Sequence, residues 1–347
     1  MSIPVLILSG FLGSGKTTLL LELLAEARSR GLKPGILMNE LGKMDVDGEI
    51  IGGASQVSVA KLLDGCVCCS KKSELSASLQ ELLSQKPDVL FVELTGVANP
   101  EEVVDALTEP ALLGRVILKQ IVTVLDAEYT LEYNSIFASD KDLVRTLRRQ
   151  MEVADLILIN KTDLVDSHTL QKIEKTVRKH NPFAPLLYTQ QSKLDLDILL
   201  RGIEPVPEGT PQARQPFRVV KGVAAGARMK EPDTSEHAPH RHQASFSRIR
   251  TFTLQPPTDY AIPPAKLEQF LGQWGNRLLR AKGYLAQPGH AARRLLQFAG
   301  KRITYSSSTY QGEPYLVLIG MDLEESELMM EWAELLPGTE LPTGRKR

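Results

Sequence analysis

The sequence predicts an α/β protein with a mostly parallel sheet, covered by helices, over residues 1–203 and a smaller C-terminal α+β domain over residues 246–336. In the first part, short apolar segments alternate with segments of helical composition, which is typical of a parallel sheet with helices on both faces. Polar motifs directly follow three of these apolar segments, as expected because ligands bind at the carboxyl ends of parallel strands. The composition then changes. Residues 204–245 are rich in Pro, Gly and charge and predict a linker, and residues 337–347 predict a tail.

Composition narrows the classes of function. The length of 347 residues suggests two domains, and 42% hydrophobic residues, 24% charged residues and a net charge of −1 are typical of a soluble globular protein. There is no basic excess of the kind that would favour nucleic acid or an anionic membrane as a partner. The N-terminal segment lacks the basic start of a signal peptide and is too short to span a bilayer, so we expect a cytoplasmic location.

A glycine-rich motif follows the first apolar segment and leads into a helical segment. It reads Gly10-Phe-Leu-Gly13-Ser14-Gly15-Lys16-Thr17-Thr18. A strand, G-x-x-x-x-G-K-T and a helix in this order are typical of a phosphate-binding P-loop rather than an ordinary glycine turn. The glycines let successive backbone N–H groups face a phosphate, Lys16 would neutralise the β- and γ-phosphates, and the Thr17 hydroxyl would ligate Mg²⁺. The motif therefore predicts a nucleotide site.

A second motif follows the apolar segment at 88–92, which ends in Glu93, with Gly96 three residues later. At this distance behind a P-loop, the pattern favours an acid beside Mg²⁺ and a backbone N–H that senses the γ-phosphate. The polar stretch at 40–53 follows the predicted second strand at 35–39. It fits either a nucleotide-sensing switch loop or a plain surface loop.

The third motif is Asn160-Lys161-Thr-Asp163, directly after the apolar segment at 155–159. The Asp163 carboxylate can accept hydrogen bonds from the N1–H and the 2-amino group of guanine. Adenine offers no such pair, so a site built for this pairing discriminates strongly between the two bases. The order and spacing favour this interpretation over an exposed polar turn and predict GTP as the nucleotide.

Apolar periodicity predicts the remaining elements. In the first part it indicates strands at 116–125 and 186–189 and helices at 73–85, 100–108, 127–137, 141–153 and 195–201. In the second part it indicates strands at 246–254, 277–285, 295–306 and 315–320 and helices at 264–274 and 324–335.

All three cysteines of the chain, Cys66, Cys68 and Cys69, lie in one short segment. A disulfide framework would distribute an even number along the chain, whereas clustered thiolates suit Zn²⁺. A closed structural zinc site has four ligands, so an under-filled site is better suited to an ion that must leave again. Buried core cysteines are disfavoured because Gly65 and residues 70–72 predict a loop. A redox pair is the remaining alternative.

A second group of candidate metal ligands comprises His237, His240 and His242 in the predicted linker. Clustered histidines have affinity for metals. A solvated loop explains them equally well, and the sequence leaves both interpretations open.

Together, these motifs resemble the CobW-like branch of the SIMIBI-class P-loop GTPases, relatives of the nickel-insertion GTPases UreG and HypB. The landmarks in order are the glycine-rich motif, Asn39-Glu40, Gly65-Cys-Val-Cys-Cys69, Glu93-Leu-Thr-Gly96, Asn160-Lys-Thr-Asp163 and, in the C-terminal domain, residues 279–284 and 318–320. The resemblance implies a P-loop GTPase domain and a GTP-hydrolysing metallochaperone or insertase, for zinc above all and also for cobalt, with GTP/GDP, Mg²⁺ and Zn²⁺ as ligands and a client apo-metalloprotein as partner.

The resemblance also implies roles for particular residues. The three cysteines would be metal-site residues with Glu40 as a helper ligand, while Thr17 and Glu93 would lie at the Mg²⁺ site. Two positions depart from the family pattern. Lys43 follows Leu41-Gly42 where family members often have an acidic residue, and Asn99 stands where many members have Asp. These departures affect auxiliary metal ligands but not GTP binding.

The leading hypothesis is therefore a GTPase metallochaperone with a slow intrinsic rate, on the order of 10⁻⁴ s⁻¹ for an isolated switch GTPase. A regulatory GTPase whose cysteines sense zinc or redox state is the alternative. A phosphotransferase is disfavoured by the guanine motif. Zinc is not separated from cobalt or nickel by thiolate chemistry alone. The client is not identified, and the oligomeric state, a homo-oligomer included, stays open.

Overall fold

The computed structural model describes residues 2–38, 58–61, 70–135, 141–205, 248–258, 260–299 and 302–336, with backbone only at 58–61, 70–74 and 276. The described residues form two compact units, one comprising residues up to 205 together with Arg248 and the other comprising residues 249–336. Nearly all of the predicted linker and the whole predicted tail lie outside the described residues, so the predicted domain boundaries stay predictions.

In the described part of the first unit, the sheet has seven strands. They are β1 Ile3–Ser9, β2 Pro34–Met38, β3 Ser58–Lys61, β4 Val89–Glu93, β5 Val116–Asp126, β6 Leu156–Asn160 and β7 Leu186–Tyr188. Their order is β3-β2-β4-β1-β5-β6-β7, and every neighbouring pair is parallel. The α/β class with a parallel sheet is confirmed. All carboxyl ends therefore meet at one edge, where the three polar motifs begin.

Among the described residues, seven helices accompany this sheet. They are α1 Lys16–Ser29, α2 Ser70–Ser84, α3 Pro100–Leu107, α4 Thr130–Tyr133, α5 Lys141–Val153, α6 Ser167–His180 and α7 Asp197–Leu200. Alternate residues of β6 pack into two different cores, because Leu156 and Leu158 join the cluster around α1 whereas Ile157 and Ile159 join the cluster around α5 and α6. Both faces of the sheet are therefore buried, which explains why its strands are apolar without alternation.

Three predictions for this unit were wrong or incomplete. Strand β3 was not predicted, because its four residues form no apolar run and it pairs only at the sheet edge with β2. Residues 70–72, predicted as a loop, form the first turn of α2. The predicted helix at 127–137 begins only at Thr130, because a turn precedes it. In this turn the Asp126 carboxylate accepts a hydrogen bond from the Glu128 N–H, and the Asp126 backbone carbonyl accepts one from the Thr130 hydroxyl.

Helix α6 was also absent from the sequence prediction. It buries only Ile173 and Val177, so its apolar face is narrow. Its N-terminus nevertheless has a capping residue, because the Asp166 carboxylate accepts a hydrogen bond from the Thr169 N–H at 2.7 Å.

The second unit is an α+β domain whose described residues form a five-stranded antiparallel sheet. Its elements are β8 Ile249–Leu254, α8 Pro264–Gln273, β9 Leu278–Leu285, β10 Arg294–Ala299, β11 Arg302–Ser306, β12 Tyr315–Met321 and α9 Glu325–Leu335. The strand order is β11-β10-β9-β12-β8. Phe270, Trp274 and Trp332 from the helical segments pack on one another and on the sheet. The smaller C-terminal α+β domain is confirmed.

The predicted single strand at 295–306 is wrong, since β10 and β11 form an antiparallel hairpin in which Phe298 pairs with Ile303 and Ala299 with Arg302. The apolar alternation continues on both sides of the turn, so periodicity alone does not reveal the reversal. Gly300 in the sequence is a residue that two-residue hairpin turns favour. Among the described helices of both units, none is long and apolar enough to cross a lipid bilayer.

Candidate nucleotide site

The glycine-rich motif forms a tight loop between β1 and α1. Gly10 has φ +129°, and a Cβ there would lie 2.0 Å from the Val124 carbonyl oxygen. Gly15 has φ +110°, and a Cβ there would lie 2.4 Å from Asn160 Nδ2. Helix α1 begins directly after Gly15 and has no acidic residue in its first turn. The positive end of its dipole therefore faces the loop, and no carboxylate of the helix itself competes with an anion there.

The remaining residues of this motif are arranged around the start of α1. Gly13 has φ +75° with open space beside it, Ser14 is buried, and Thr18 is exposed on the first turn of the helix. Lys16 is only 6% exposed, and its Nζ donates to the Phe11 carbonyl oxygen at 2.9 Å. The lysine charge is thereby held inside the loop where phosphate would bind.

Thr17 and Glu93 are adjacent, as the sequence predicted from different motifs. The Thr17 hydroxyl donates to Glu93 Oε1 at 2.6 Å. Glu93 ends β4 and aligns with Leu8 of β1, so the central strand pair of the sheet positions both residues. Hydroxyl and carboxylate oxygens are the ligands that Mg²⁺ prefers, so this donor set fits that ion.

The turn after β4 lies against the glycine-rich loop. The Ala98 N–H donates to the Thr95 carbonyl oxygen at 3.1 Å and closes the turn around Gly96. A Cβ at Gly96 would lie 2.5 Å from the backbone nitrogen of Leu12. The glycine predicted to sense phosphate is therefore packed directly on the backbone of the loop predicted to bind it.

Asn160 connects the third motif to the first. Its Nδ2 donates to the Ser14 carbonyl oxygen at 2.9 Å and to Ser192 Oγ at 3.1 Å. Its Oδ1 accepts hydrogen bonds from the Ser192 N–H at 2.9 Å and from Thr189 Oγ1 at 3.1 Å. These four contacts use both the NH₂ group and the oxygen of a side chain that is only 2% exposed. Asn160 therefore ties the glycine-rich loop to the segment around Thr189 and Ser192.

Lys161 and Asp163 follow in a short 3₁₀ turn, Thr162–Leu164. Lys161 has a left-handed backbone with φ +61°, and its Nζ pairs with Asp126 Oδ2 at 2.6 Å. Asp126 is 3% exposed, whereas Asp163 is exposed and can reach a ligand.

Three residues with contacts at this site were missed from the sequence. Ser192 bonds Asn160, Asp126 pairs with Lys161, and Gln150 donates hydrogen bonds to the Gly96 and Ala98 carbonyl oxygens. Ser192 follows the last strand of the sheet after a short polar stretch, and Asp126 is the last residue of β5, so both lie at the strand ends where ligand loops begin. That position could have identified them. Nothing in the pattern distinguishes Gln150, which lies on α5.

The candidate zinc ligands lie outside the described residues, as does the family landmark Asn39. These ligands are Glu40, Cys66, Cys68, Cys69, His237, His240 and His242. Within the described part of the chain, no group of three His, Cys, Asp or Glu side chains could hold a metal ion.

The fold and this site define a P-loop nucleotide-binding protein. The model of the CobW/HypB/UreG nucleotide-binding domain matches residues 4–188, and the model of the C-terminal domain of cobalamin synthesis protein cobW matches residues 249–336. The chain belongs to the CobW/HypB/UreG family. The resemblance that the motifs indicated is confirmed.

Relatives match over nearly the full length of the chain. The zinc chaperone CobW of Sinorhizobium sp is 27% identical over 93% of this chain and 94% of its own. The zinc chaperone YjiA of Escherichia coli K12 is 28% identical over 96% and 98%. The crystal structure of the Zn(II)-bound YjiA GTPase from E. coli is 21% identical over 96% of this chain and 99% of its own, with a TM-score of 0.43.

Proposed function

We propose that this protein is a GTP-hydrolysing metallochaperone that binds Zn²⁺ at Cys66, Cys68 and Cys69 and transfers it to a client apo-metalloprotein. In this proposal, the nucleotide state controls metal binding or client docking. The relatives named as zinc chaperones support the class of function. The observation that carries the nucleotide half is the hydrogen bond of Thr17 to Glu93 beside the glycine-rich loop.

In this proposal, the chain supplies groups that bind GTP and neutralise its phosphate charge. Backbone N–H groups at the start of α1 bind the phosphates, and Lys16 neutralises the charge that develops on them. Thr17 and Glu93 would hold Mg²⁺, which neutralises the β- and γ-phosphate oxygens when bound. Asp163 accepts hydrogen bonds from guanine, while Asn160 and Lys161 hold the base loop in place.

The sheet register supports coupling between nucleotide and metal. Glu93 is aligned with Met38 on β2, and Met38 is aligned with Lys61 on β3. Neighbouring strands are about 4.8 Å apart, so the Cα atoms of Glu93 and Lys61 are separated by roughly 10 Å. Asn39 and Glu40 follow Met38 in the sequence, and the cysteine segment follows Lys61. Both candidate metal segments therefore start within a short distance of the acid proposed for Mg²⁺.

Base specificity is tested with Asp163→Asn. The Asn Oδ1 can still accept from one guanine donor, but its NH₂ group faces the other donor. The loss of one hydrogen bond to a carboxylate together with this donor–donor repulsion costs about 3 kcal/mol, which lowers GTP affinity by at least about 100-fold. Xanthine has a carbonyl oxygen where guanine has the 2-amino group, so the Asn amide can donate to it and XTP affinity rises. Calorimetric titration of both nucleotides measures the exchange. Unchanged GTP affinity would contradict the assignment of Asp163.

Metal coupling is tested by competition titration of Zn²⁺ with a chelator in the GTP- and GDP-bound protein. We expect different Zn²⁺ affinities in the two states and loss of tight binding in Cys66→Ser. Equal affinities would remove the coupling. Delivery is tested separately by transfer of labelled zinc to an apo-client. A regulatory GTPase that only senses zinc or redox state would keep its ion or release it to solvent alone.

A further inference from the structure

Gln150 on α5 is a fully buried amide that reaches the loop following β4. Its exposure is 0%, and its Nε2 donates to the carbonyl oxygens of Gly96 at 3.2 Å and Ala98 at 3.0 Å. The backbone carbonyl oxygen of Gln150, not its side chain, accepts a hydrogen bond from Thr123 Oγ1 of β5 at 2.9 Å. Because both loop partners are carbonyl oxygens, the amide must present its NH₂ group to them. Gln150 therefore fixes two peptide groups of the loop to the body of the domain.

This contact extends to the glycine-rich loop. The turn that Gln150 holds includes Gly96, and Gly96 is packed so closely on Leu12 that a Cβ would lie 2.5 Å from the Leu12 nitrogen. A displacement of the turn toward that loop is blocked by backbone atoms, and a displacement away from it breaks the Gln150 hydrogen bonds. The position of the Gly96 backbone is thus set from both sides.

The side-chain oxygen of Gln150 shows that packing alone does not explain why a glutamine occupies this position. Its Oε1 is buried and has no hydrogen-bond partner among the residues that the structure describes. An unpaired buried carbonyl destabilises the folded state, and an apolar side chain of the same size would avoid this cost. A glutamine is therefore useful here for its NH₂ group, which means for holding the loop.

We propose that Gln150 is a positioning residue for the GTPase reaction, holding the Gly96 turn where its backbone distinguishes GTP from GDP. This inference rests on the proposed function, because only GTP carries the γ-phosphate that the turn would meet. Without the two hydrogen bonds, the turn samples other positions and GTP loses its advantage over GDP. GDP binding does not involve the turn and changes little.

The test compares Gln150→Met with Thr123→Val in the full-length protein. Binding of fluorescent GTP and GDP analogues gives the ratio of the two dissociation constants, and GTP turnover is measured in parallel. Gln150→Met keeps the side-chain length but removes the donor, so the preference for GTP over GDP falls about 10-fold, as expected for two neutral hydrogen bonds. Thr123→Val removes the buried hydrogen bond to the Gln150 backbone but leaves the amide, so the ratio stays within about 2-fold of wild type.

Gln150→Glu adds a readout that a purely structural residue would not give. Burial raises the pKa of a carboxyl group, so this one is protonated near pH 6 and ionised at about pH 9. The protonated form donates one hydrogen bond to the loop, whereas the ionised form repels both carbonyl oxygens. The preference of this variant for GTP therefore recovers at low pH and falls at high pH, relative to wild type measured at each pH.

The outcomes separate the two proposals. Wild-type protein that neither binds nor hydrolyses GTP would overturn the proposed function. Wild-type protein that hydrolyses GTP, with an unchanged ratio in Gln150→Met, would overturn the role of Gln150 alone. Equal weakening of GTP and GDP in Gln150→Met, or a Gln150→Glu ratio that does not vary with pH, would show that Gln150 only stabilises the fold.

Discussion

Replacing Asn160 with alanine should weaken both folding and GTP binding. The side chain makes four buried hydrogen bonds to Ser14, Thr189 and Ser192. At about 1 kcal/mol each, their loss costs roughly 4 kcal/mol of the 5–15 kcal/mol that is typical for a domain. With a urea dependence of about 2 kcal/mol per M, the unfolding midpoint of the first unit falls by roughly 2 M. GTP affinity falls at least about 10-fold, because the glycine-rich loop loses its tie to the base loop.

Urea denaturation followed by circular dichroism measures the first effect, and calorimetric titration with GTP measures the second. Asn181 provides a matched control, since it is also fully buried. Its Nδ2 donates to the carbonyl oxygens of Met151 and Ala154, and its Oδ1 accepts from the N–H groups of Phe183 and Ala184. Asn181→Ala should lose a similar free energy of unfolding while its GTP affinity stays within about 2-fold of wild type. The reasoning is refuted if Asn160→Ala loses less than about 1 kcal/mol, or if both variants weaken GTP binding equally.

Three further substitutions test other contacts. Gly96→Ala forces a methyl group against the backbone of the glycine-rich loop, so kcat for GTP hydrolysis should fall at least about 10-fold. Gly272→Ala is the control, because a Cβ at Gly272 would have no atom within 4 Å, and it should leave kcat unchanged. Asp126→Asn removes the carboxylate partner of Lys161, so stopped-flow measurements should show faster GTP release, and an unchanged rate would argue against the pair. Burial lowers the pKa of Lys119. Because the unfolded chain then binds the proton more tightly, the unfolding free energy of wild type relative to Lys119→Met should rise as the pH increases toward the ordinary lysine pKa of about 10.4, and a constant difference would contradict this.

The nucleotide motifs could be predicted from sequence because each is contiguous and follows an apolar strand. Thr17 and Glu93 were assigned to one ion from separate motifs, and the structure brings their oxygens to 2.6 Å. The tertiary partners could not be predicted in this way. Gln150 is 54 residues from Gly96 in sequence and occupies an ordinary polar position on an amphipathic helix. Only the packing of α5 on the sheet brings them together.

The same physical distinction applies to the fold. Strands buried on both faces form uninterrupted apolar runs, and those of the first unit were found at nearly their observed bounds. Strand β3 has no such run and depends on pairing with β2 for its existence. In the second unit, the hairpin of β10 and β11 has the same alternation as one long strand, so only its turn chemistry carries the information. Sequence periodicity therefore misses the strands and turns that depend on pairing with another strand and not on their own composition.

The outermost position of β3 has a consequence for engineering. The cysteine segment joins this edge strand to α2, whereas the phosphate and base loops leave the five strands on the other side of β2. Under the proposed function, a graft of a different ligand sequence between Lys61 and Ser70 would therefore replace the proposed metal-binding segment without rebuilding the glycine-rich loop or the base loop. Chimeras exchanging only this segment could then be used to select new metal preferences on an unchanged GTPase.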